Sequence, residues 1–209
     1  MAQQKFRVGI TRDNLKPDGK PIFDAACLKA LDDPRIEWEW LPQIEPELTP
    51  ATASEYDALC VMLAKVTRAT VSGADRRLKL IARFGVGYDT VDVPALTEHG
   101  VLLAITPDGV RRPIATAAFT FVLMLAQKVP TKDRLVREGR WAERVNHFGT
   151  GLSGRTLGSI GVGNIGAELF RLATPFQMRH IACDPYVTQE SVRPLGVTLV
   201  DLDTLFREA

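Results

Sequence analysis

Six residues constrain this chain more than any others: Gly161-Val162-Gly163-Asn164-Ile165-Gly166. They follow a strand-like apolar run, Arg155 to Ile160, and lead into a helix-like stretch, Ile165 to Phe176. A GxGxxG string alone is a weak signal, because glycines gather in turns. The strand before it, the helix after it and an acidic residue ending the next strand make it the phosphate turn of a dinucleotide-binding fold. Asp184 is that acidic residue: it follows the strand-like run Arg179 to Cys183 and lies 21 residues beyond Gly163.

Each member has a physical task. Gly161 permits the tight turn, Gly163 lets a pyrophosphate approach the backbone, and Gly166 lets helix and strand pack closely. The free N–H groups of Asn164 and Ile165 then face the phosphate at the positive end of the helix. Asp184 accepts hydrogen bonds from the ribose hydroxyls of the adenosine and repels a 2′-phosphate, so NAD is expected in preference to NADP. The competing reading is a tight turn that holds no ligand.

The rest of the chain alternates short apolar runs with helix-like stretches. Phe6–Thr11, Ile36–Leu41, Ala58–Leu63, Leu78–Phe84 and Val101–Ile105 read as strands, and Ile22–Leu31 and Val93–His99 as helices. That alternation predicts parallel sheet with helical crossovers. Thr106-Pro107-Asp108-Gly109 reads as a turn, followed by a buried helix over Ile114–Gln127 and an exposed charged helix over Thr131–Arg144. Asn146–Gly154 is a glycine-rich loop. Beyond the phosphate turn, Val197–Val200 reads as a strand, and Asp201 caps a helix over Leu202–Glu208. Two lobes are expected, residues 1–105 and 106–209.

Lys and Arg number 26 against 25 Asp and Glu. That balance gives no electrostatic case for a nucleic-acid partner. The opening MAQQKFRVGI has no apolar core of a signal peptide. Ala115–Ala126, the longest apolar stretch, is broken by two threonines and falls short of the roughly 18 residues of a membrane span. Cys27, Cys60 and Cys183 stand alone, without metal or redox spacing, and read as buried reduced thiols. A cytoplasmic protein without membrane contact is expected.

Four segments together resemble the D-isomer-specific 2-hydroxyacid dehydrogenases. They are Ala82-Arg83-Phe84-Gly85-Val86-Gly87-Tyr88-Asp89-Thr90-Val91-Asp92; Gly100–Pro107 with the apolar helix after it; Leu152-Ser153-Gly154-Arg155-Thr156-Leu157-Gly158 before the phosphate turn; and Cys183-Asp184-Pro185-Tyr186. The resemblance implies an α/β fold: a flavodoxin-like substrate lobe plus the first half of a Rossmann NAD-binding domain, both with parallel sheets. It implies hydride transfer between NAD(H) and a small 2-hydroxy or 2-keto acid. It implies that backbone N–H groups of Val86 and Gly87 hold the substrate carboxylate, which a glycine-rich turn can do. It also implies a homodimer, with Pro130–Trp141 at the interface. Two departures bear on substrate. The usual Val-Ala-Glu-like triplet is Ile114-Ala115-Thr116 here, without its carboxylate. Val61-Met62-Leu63-Ala64 lacks the Arg that some members use for a phosphorylated substrate.

The resemblance places the family's catalytic Arg, Glu and His beyond residue 209. Within the chain, His99 reads as a helix-end cap, His147 as a loop residue and His180 as the start of a strand on the adenosine side. Arg83 borders the substrate loop, and Arg111 and Arg112 read as a solvated pair. No residue of the chain is assigned a catalytic role, and the 209-residue chain alone is expected to lack turnover. Strand 1 of the dinucleotide fold, without a fourth strand beside it, is expected to carry an open edge. The alternative function is a non-catalytic module that binds a dinucleotide or a partner. A different Rossmann enzyme, such as a homocysteine-forming hydrolase or alanine dehydrogenase, fits the substrate-loop segment less well.

Overall fold

The computed structural model describes residues 4–73 and 75–209. The chain divides into two compact units, Met1–Pro107 and Asp108–Ala209.

The first unit is built on five parallel strands: β1 (Phe6–Ile10), β2 (Ile36–Trp40), β3 (Ala58–Val61), β4 (Leu80–Arg83) and β5 (Leu102–Ala104). Their order is β2-β1-β3-β4-β5. This is the flavodoxin-type winding, in which the chain reverses direction across the sheet between β1 and β3. The central strand β3 is buried along most of its length, whereas β2 at the edge alternates half-buried and exposed residues. Three helices serve as crossovers: α1 (Pro50–Glu55), α2 (Arg68–Val71) and α3 (Val93–Glu98). Thr49 caps α1 through the N–H of Thr52, and Asp92 caps α3 through that of Ala95. Leu41, Leu48, Leu59, Val61, Val66, Ile81 and Leu96 form the fully buried centre.

The helix expected over Ile22–Leu31 is instead a 3-10 segment, Ala25–Leu31, in which no residue is buried. Short helices draw most of their stability from a packed face, and this stretch has none. α1 and α2 fall where the sequence reading placed no helix. Each is short and begins at a Thr, with too few residues to display periodicity.

The second unit opens with α4 (Pro107–Ala126) and α5 (Val129–Arg137). Three parallel strands follow, β6 (Thr156–Ile160), β7 (Arg179–Cys183) and β8 (Val197–Leu199), in the order β6-β7-β8. They are interleaved with α6 (Asn164–Ala173), α7 (Gln189–Val192) and α8 (Leu202–Glu208). The core gathers Phe119, Leu157, Phe170, Ala182 and Val197. Asp201 caps α8 through the N–H of Thr204.

α4 corrects three expectations. Thr106–Gly109 is no turn there, because Pro107 and Asp108 occupy the first helical turn, where proline needs no N–H partner and a carboxylate suits the dipole. The helix is largely exposed, with Ala115 and Phe119 as its buried residues. By length and composition it is also apolar enough to cross a membrane. The threonines within it are satisfied internally: Thr116 Oγ1 donates to the Arg112 carbonyl and Thr120 Oγ1 to that of Thr116. The charged helix expected over Thr131–Arg144 also breaks. It ends at Gly139 in the left-handed region (φ 69°), where Gly139 N–H bonds the Val136 carbonyl and Arg140 N–H that of Leu135. This pairing is a Schellman stop, and a 3-10 segment, Trp141–Asn146, follows. Cys27 is exposed, and Cys60 and Cys183 are partly buried, so the three thiols are not uniformly buried. Burial pushes the Cys60 thiol up to about 11, which keeps it protonated and unreactive.

One buried carboxylate ties the lower end of the first sheet. Asp57 is 3% exposed. It accepts from Arg7 N–H (2.9 Å), Arg77 Nε (2.7 Å) and Lys79 Nζ (2.9 Å). Burial alone would raise its pKa, but the bonds from Arg77, Arg7 and Lys79 outweigh it and hold the carboxyl at about 2. A depressed folded pKa means that this stabilisation is complete above 3.8 and drains away as pH falls toward about 2. Asp57→Ala is expected to destabilise the unit by about 3 kcal/mol at neutral pH, because two cations lose their partner. Urea unfolding measures this, and the wild-type advantage should shrink in that acid window.

Candidate functional site

The phosphate turn is made by the covalent geometry of β6 running into α6. Gly161 sits at φ 93°, a left-handed conformation that side chains resist. Its N–H bonds the Cys183 carbonyl (2.9 Å), which locks the turn to β7. A Cβ on Gly166 would stand 2.5 Å from the Gly161 carbonyl oxygen, so α6 can approach the turn only without one. A Cβ on Gly163 would meet nothing within 4 Å, which leaves open space over the turn.

The start of α6 is electrically unfilled. Gly163 is the N-cap and supplies no side chain to cap the helix. Among the described residues, the N–H groups of Asn164, Ile165 and Gly166 have no hydrogen-bond partner. Three free donors at the positive end of a helix, beside an open backbone, suit an oxyanion.

Asp184 stands on the other side of the same turn. Its Oδ2 accepts from Val162 N–H (2.8 Å) and its Oδ1 from Tyr186 N–H (2.9 Å). Those two bonds, that of Val162 first, lower its pKa below the ordinary carboxylate value. Each oxygen retains a second acceptor site for a hydroxyl. Asp184 therefore also holds the phosphate turn in shape, a task that the spacing gave no sign of. Ser159 Oγ adds a bond to the Gly161 carbonyl (2.8 Å). The structure thus brings Gly161, Gly163, Asn164, Ile165, Gly166 and Asp184 to one turn.

Val86 and Gly87 lie in the first unit, in the loop that leaves β4. Gly85, at φ 128°, turns the chain, and its N–H and carbonyl are both taken by Thr106. Among the described residues, the N–H groups of Val86 and Gly87 have no partner. They lie at the carboxyl end of the strands, where open α/β sheets place their ligands.

The histidines take ordinary structural positions. His99 ends α3, with its N–H on the Ala95 carbonyl and Nδ1 2.8 Å from the same oxygen. His147 ends the 3-10 segment Trp141–Asn146. His180 is buried in β7 against the Phe170 ring. Arg112 is not merely solvated: it pairs with Glu168, whose side chain is 9% exposed. Arg111 pairs with Asp108 at 3.1 Å. Glu168 escaped the sequence reading because a Glu on a helix beside other charges looks solvent-facing.

Known proteins share this fold and part of the sequence. Residues 119–209 match the D-isomer-specific 2-hydroxyacid dehydrogenase NAD-binding domain. D-3-phosphoglycerate dehydrogenase of Synechocystis sp. is 40% identical over 157 residues, which cover 74% of this chain and 28% of that protein. The apo structure of D-lactate dehydrogenase from Escherichia coli superposes with a TM-score of 0.74 at 25% identity, covering 98% of this chain and 63% of that one. D-lactate dehydrogenase from Aquifex aeolicus, complexed with NAD and lactic acid, shares the fold with a TM-score of 0.76 at 22% identity, over 97% of this chain and 58% of that one. The chain belongs to the D-isomer-specific 2-hydroxyacid dehydrogenase family. It spans about a third or less of the length of the curated relatives it matches.

Two glycines of the turn should fail differently. Gly166→Ala forces Cβ against a backbone oxygen and is expected to lower stability by about 1–3 kcal/mol. Gly163→Ala fills open space at a permitted φ of −66° and should leave the melting temperature unchanged while abolishing dinucleotide binding. Thermal melts alongside NAD titrations separate the two outcomes.

Proposed function

We propose that the protein to which this chain belongs transfers hydride between NAD(H) and a small 2-hydroxy or 2-keto acid. The carrying observation is the uncapped start of α6, with Asp184 fixed beside it in a family of NAD-binding dehydrogenases. NAD, when bound, supplies the hydride-accepting ring. The residues of this chain bind and orient. Asn164, Ile165 and Gly166 N–H groups hold the pyrophosphate, and the opening over Gly163 admits it. Asp184 accepts from the adenosine ribose hydroxyls. Val86 and Gly87 N–H groups hold the substrate carboxylate, which fixes the face that the acid presents.

Selection of NAD over NADP follows from the Asp184 charge, because a 2′-phosphate would meet an ionised carboxylate. Its lowered pKa keeps it ionised throughout the neutral range, so the preference should be flat with pH there and fade only in acid. Asp184→Asn keeps an acceptor for Val162 N–H but removes the charge. Titrations of the variant with both dinucleotides should show the NAD preference fall by about tenfold or more, equivalent to about 1.4 kcal/mol. An unchanged preference would refute this role.

The same reading makes the protein a homodimer. Trp141, Val145 and Phe148 are 59%, 52% and 73% exposed, close in sequence to the α5 face that carries Leu135. Such a patch suits a second copy. Sedimentation of the wild type should give a dimer, and Phe148→Asp a monomer. The balanced charge supports action without nucleic acid, and the free cysteines support a cytoplasmic site. Cell fractionation would test the location.

A further inference from the structure

Arg83 ends β4 and is the one residue between that strand's core and the loop of Val86 and Gly87 whose charge nothing in the fold explains. Its Nη1 donates to the Phe84 carbonyl (2.7 Å). Its Nε is buried and has no hydrogen-bond partner. Among the described residues it forms no salt bridge. Arg76 and Arg77, which lie just ahead of β4, are by contrast committed. Arg76 donates to the carbonyls of Val71, Leu78 and His99. Arg77 is shared between Asp57 and the Lys5 carbonyl.

The fold makes room for this guanidinium. A Cβ on Gly85 would stand 1.6 Å from Arg83 Nη1 and 2.8 Å from Cζ. The glycine's bare face is therefore the seat of the cation, one residue before the two free N–H groups. A carboxylate also stands close: Asp89 Oδ2 lies 3.6 Å from where a Cβ on Gly87 would be. Backbone dipoles beside that negative charge make a poor anion site without a cation to offset it.

We infer that Arg83 is a specificity-determining residue of the substrate loop: its guanidinium, which has no carboxylate partner among the described residues, supplies the positive charge that makes the Val86–Gly87 turn select a carboxylate over a neutral group of the same shape. This rests on the reading of that loop as the substrate site. The N–H groups give direction, and Arg83 gives charge discrimination. Gly85 becomes part of the device, because any side chain there displaces the cation.

The test uses the 209-residue chain, with pyruvate and its neutral isostere pyruvamide as probes, read by backbone amide and arginine Nε resonances. In the wild type, pyruvate should shift Val86, Gly87 and the Arg83 Nε in one saturable curve, and pyruvamide should bind about tenfold more weakly or worse. Arg83→Gln should bring the two probes to within about twofold of each other, whereas Arg83→Lys retains most of the difference. Gly85→Ala should behave like Arg83→Gln. If pyruvate shifts Val86 and Gly87 but Arg83→Gln still prefers it as the wild type does, the role of Arg83 is overturned and the loop reading stands. If pyruvate shifts neither amide in the wild type, the loop reading itself fails and takes the inference with it. Should Arg83→Gln not fold, equal wild-type binding of pyruvate and pyruvamide still overturns the proposal.

Discussion

The second unit depends on how closely α6 approaches the end of β6. With 2.5 Å between the Gly161 oxygen and any Cβ on Gly166, the helix start is pressed onto the turn, and its first amides cannot be capped from within. An uncapped helix start is ordinarily a liability of about 1 kcal/mol. Here it leaves three donors beside open space, and the proposed dinucleotide site rests on them. The rest of the turn is braced to tolerate it: Asp184 takes the Val162 N–H, Cys183 takes the Gly161 N–H, and Ser159 takes the Gly161 carbonyl. The free donors are thereby held still, so that an oxyanion meets a site already arranged.

The two units divide the work of parallel sheets in the same way. Each keeps its unsatisfied backbone at the carboxyl ends of the strands, where loops are free to serve ligands. Each also closes its opposite end with charge. In the first unit Asp57 gathers Arg7 N–H, Arg77 and Lys79 at the amino ends of β3 and β4. In the second, Arg179 at the start of β7 reaches Glu208 on α8 and Thr156 on β6. α8 lies so close over β6 that a Cβ on Gly158 would stand 2.6 Å from the Ala209 side chain. The stabilising charges thus sit away from the ends where the proposed sites lie.

What the sequence disclosed followed from periodicity and glycine spacing. The strands were legible because apolar runs of four to five residues sit between polar turns, and in β1 and β7 the ends agree to within a residue. The phosphate turn was legible because three glycines at fixed offsets answer backbone demands that no other residue meets. Less was legible where tertiary contact decides. Ala25–Leu31 has helical composition but no packed face, and it tightens to a 3-10 form. Pro107 and Asp108 read as part of a turn, and the chain instead starts a helix there. The hidden parts of the sites were pair relations across sequence. Asp184 to Val162 spans 22 positions, and Arg112 to Glu168 spans 56.

The Arg112–Glu168 pair bears on the departure at Thr116. Without a carboxylate there, α4 cannot offer a negative group to its neighbours from that position. Thr116 turns its hydroxyl back to the Arg112 carbonyl. One turn earlier, Arg112 crosses to Glu168 on α6, which a second cation, Arg171, also holds. The bonds from Arg112 and Arg171 outweigh the burial of Glu168 and lower its pKa, Arg112 contributing most, so the carboxylate is charged and engaged. Its position, one turn into the helix whose start is the proposed oxyanion site, means that α4 holds α6 through a polar tie as well as through Phe119 in the shared core. The polarity of that tie runs from a cation on α4 to an anion on α6.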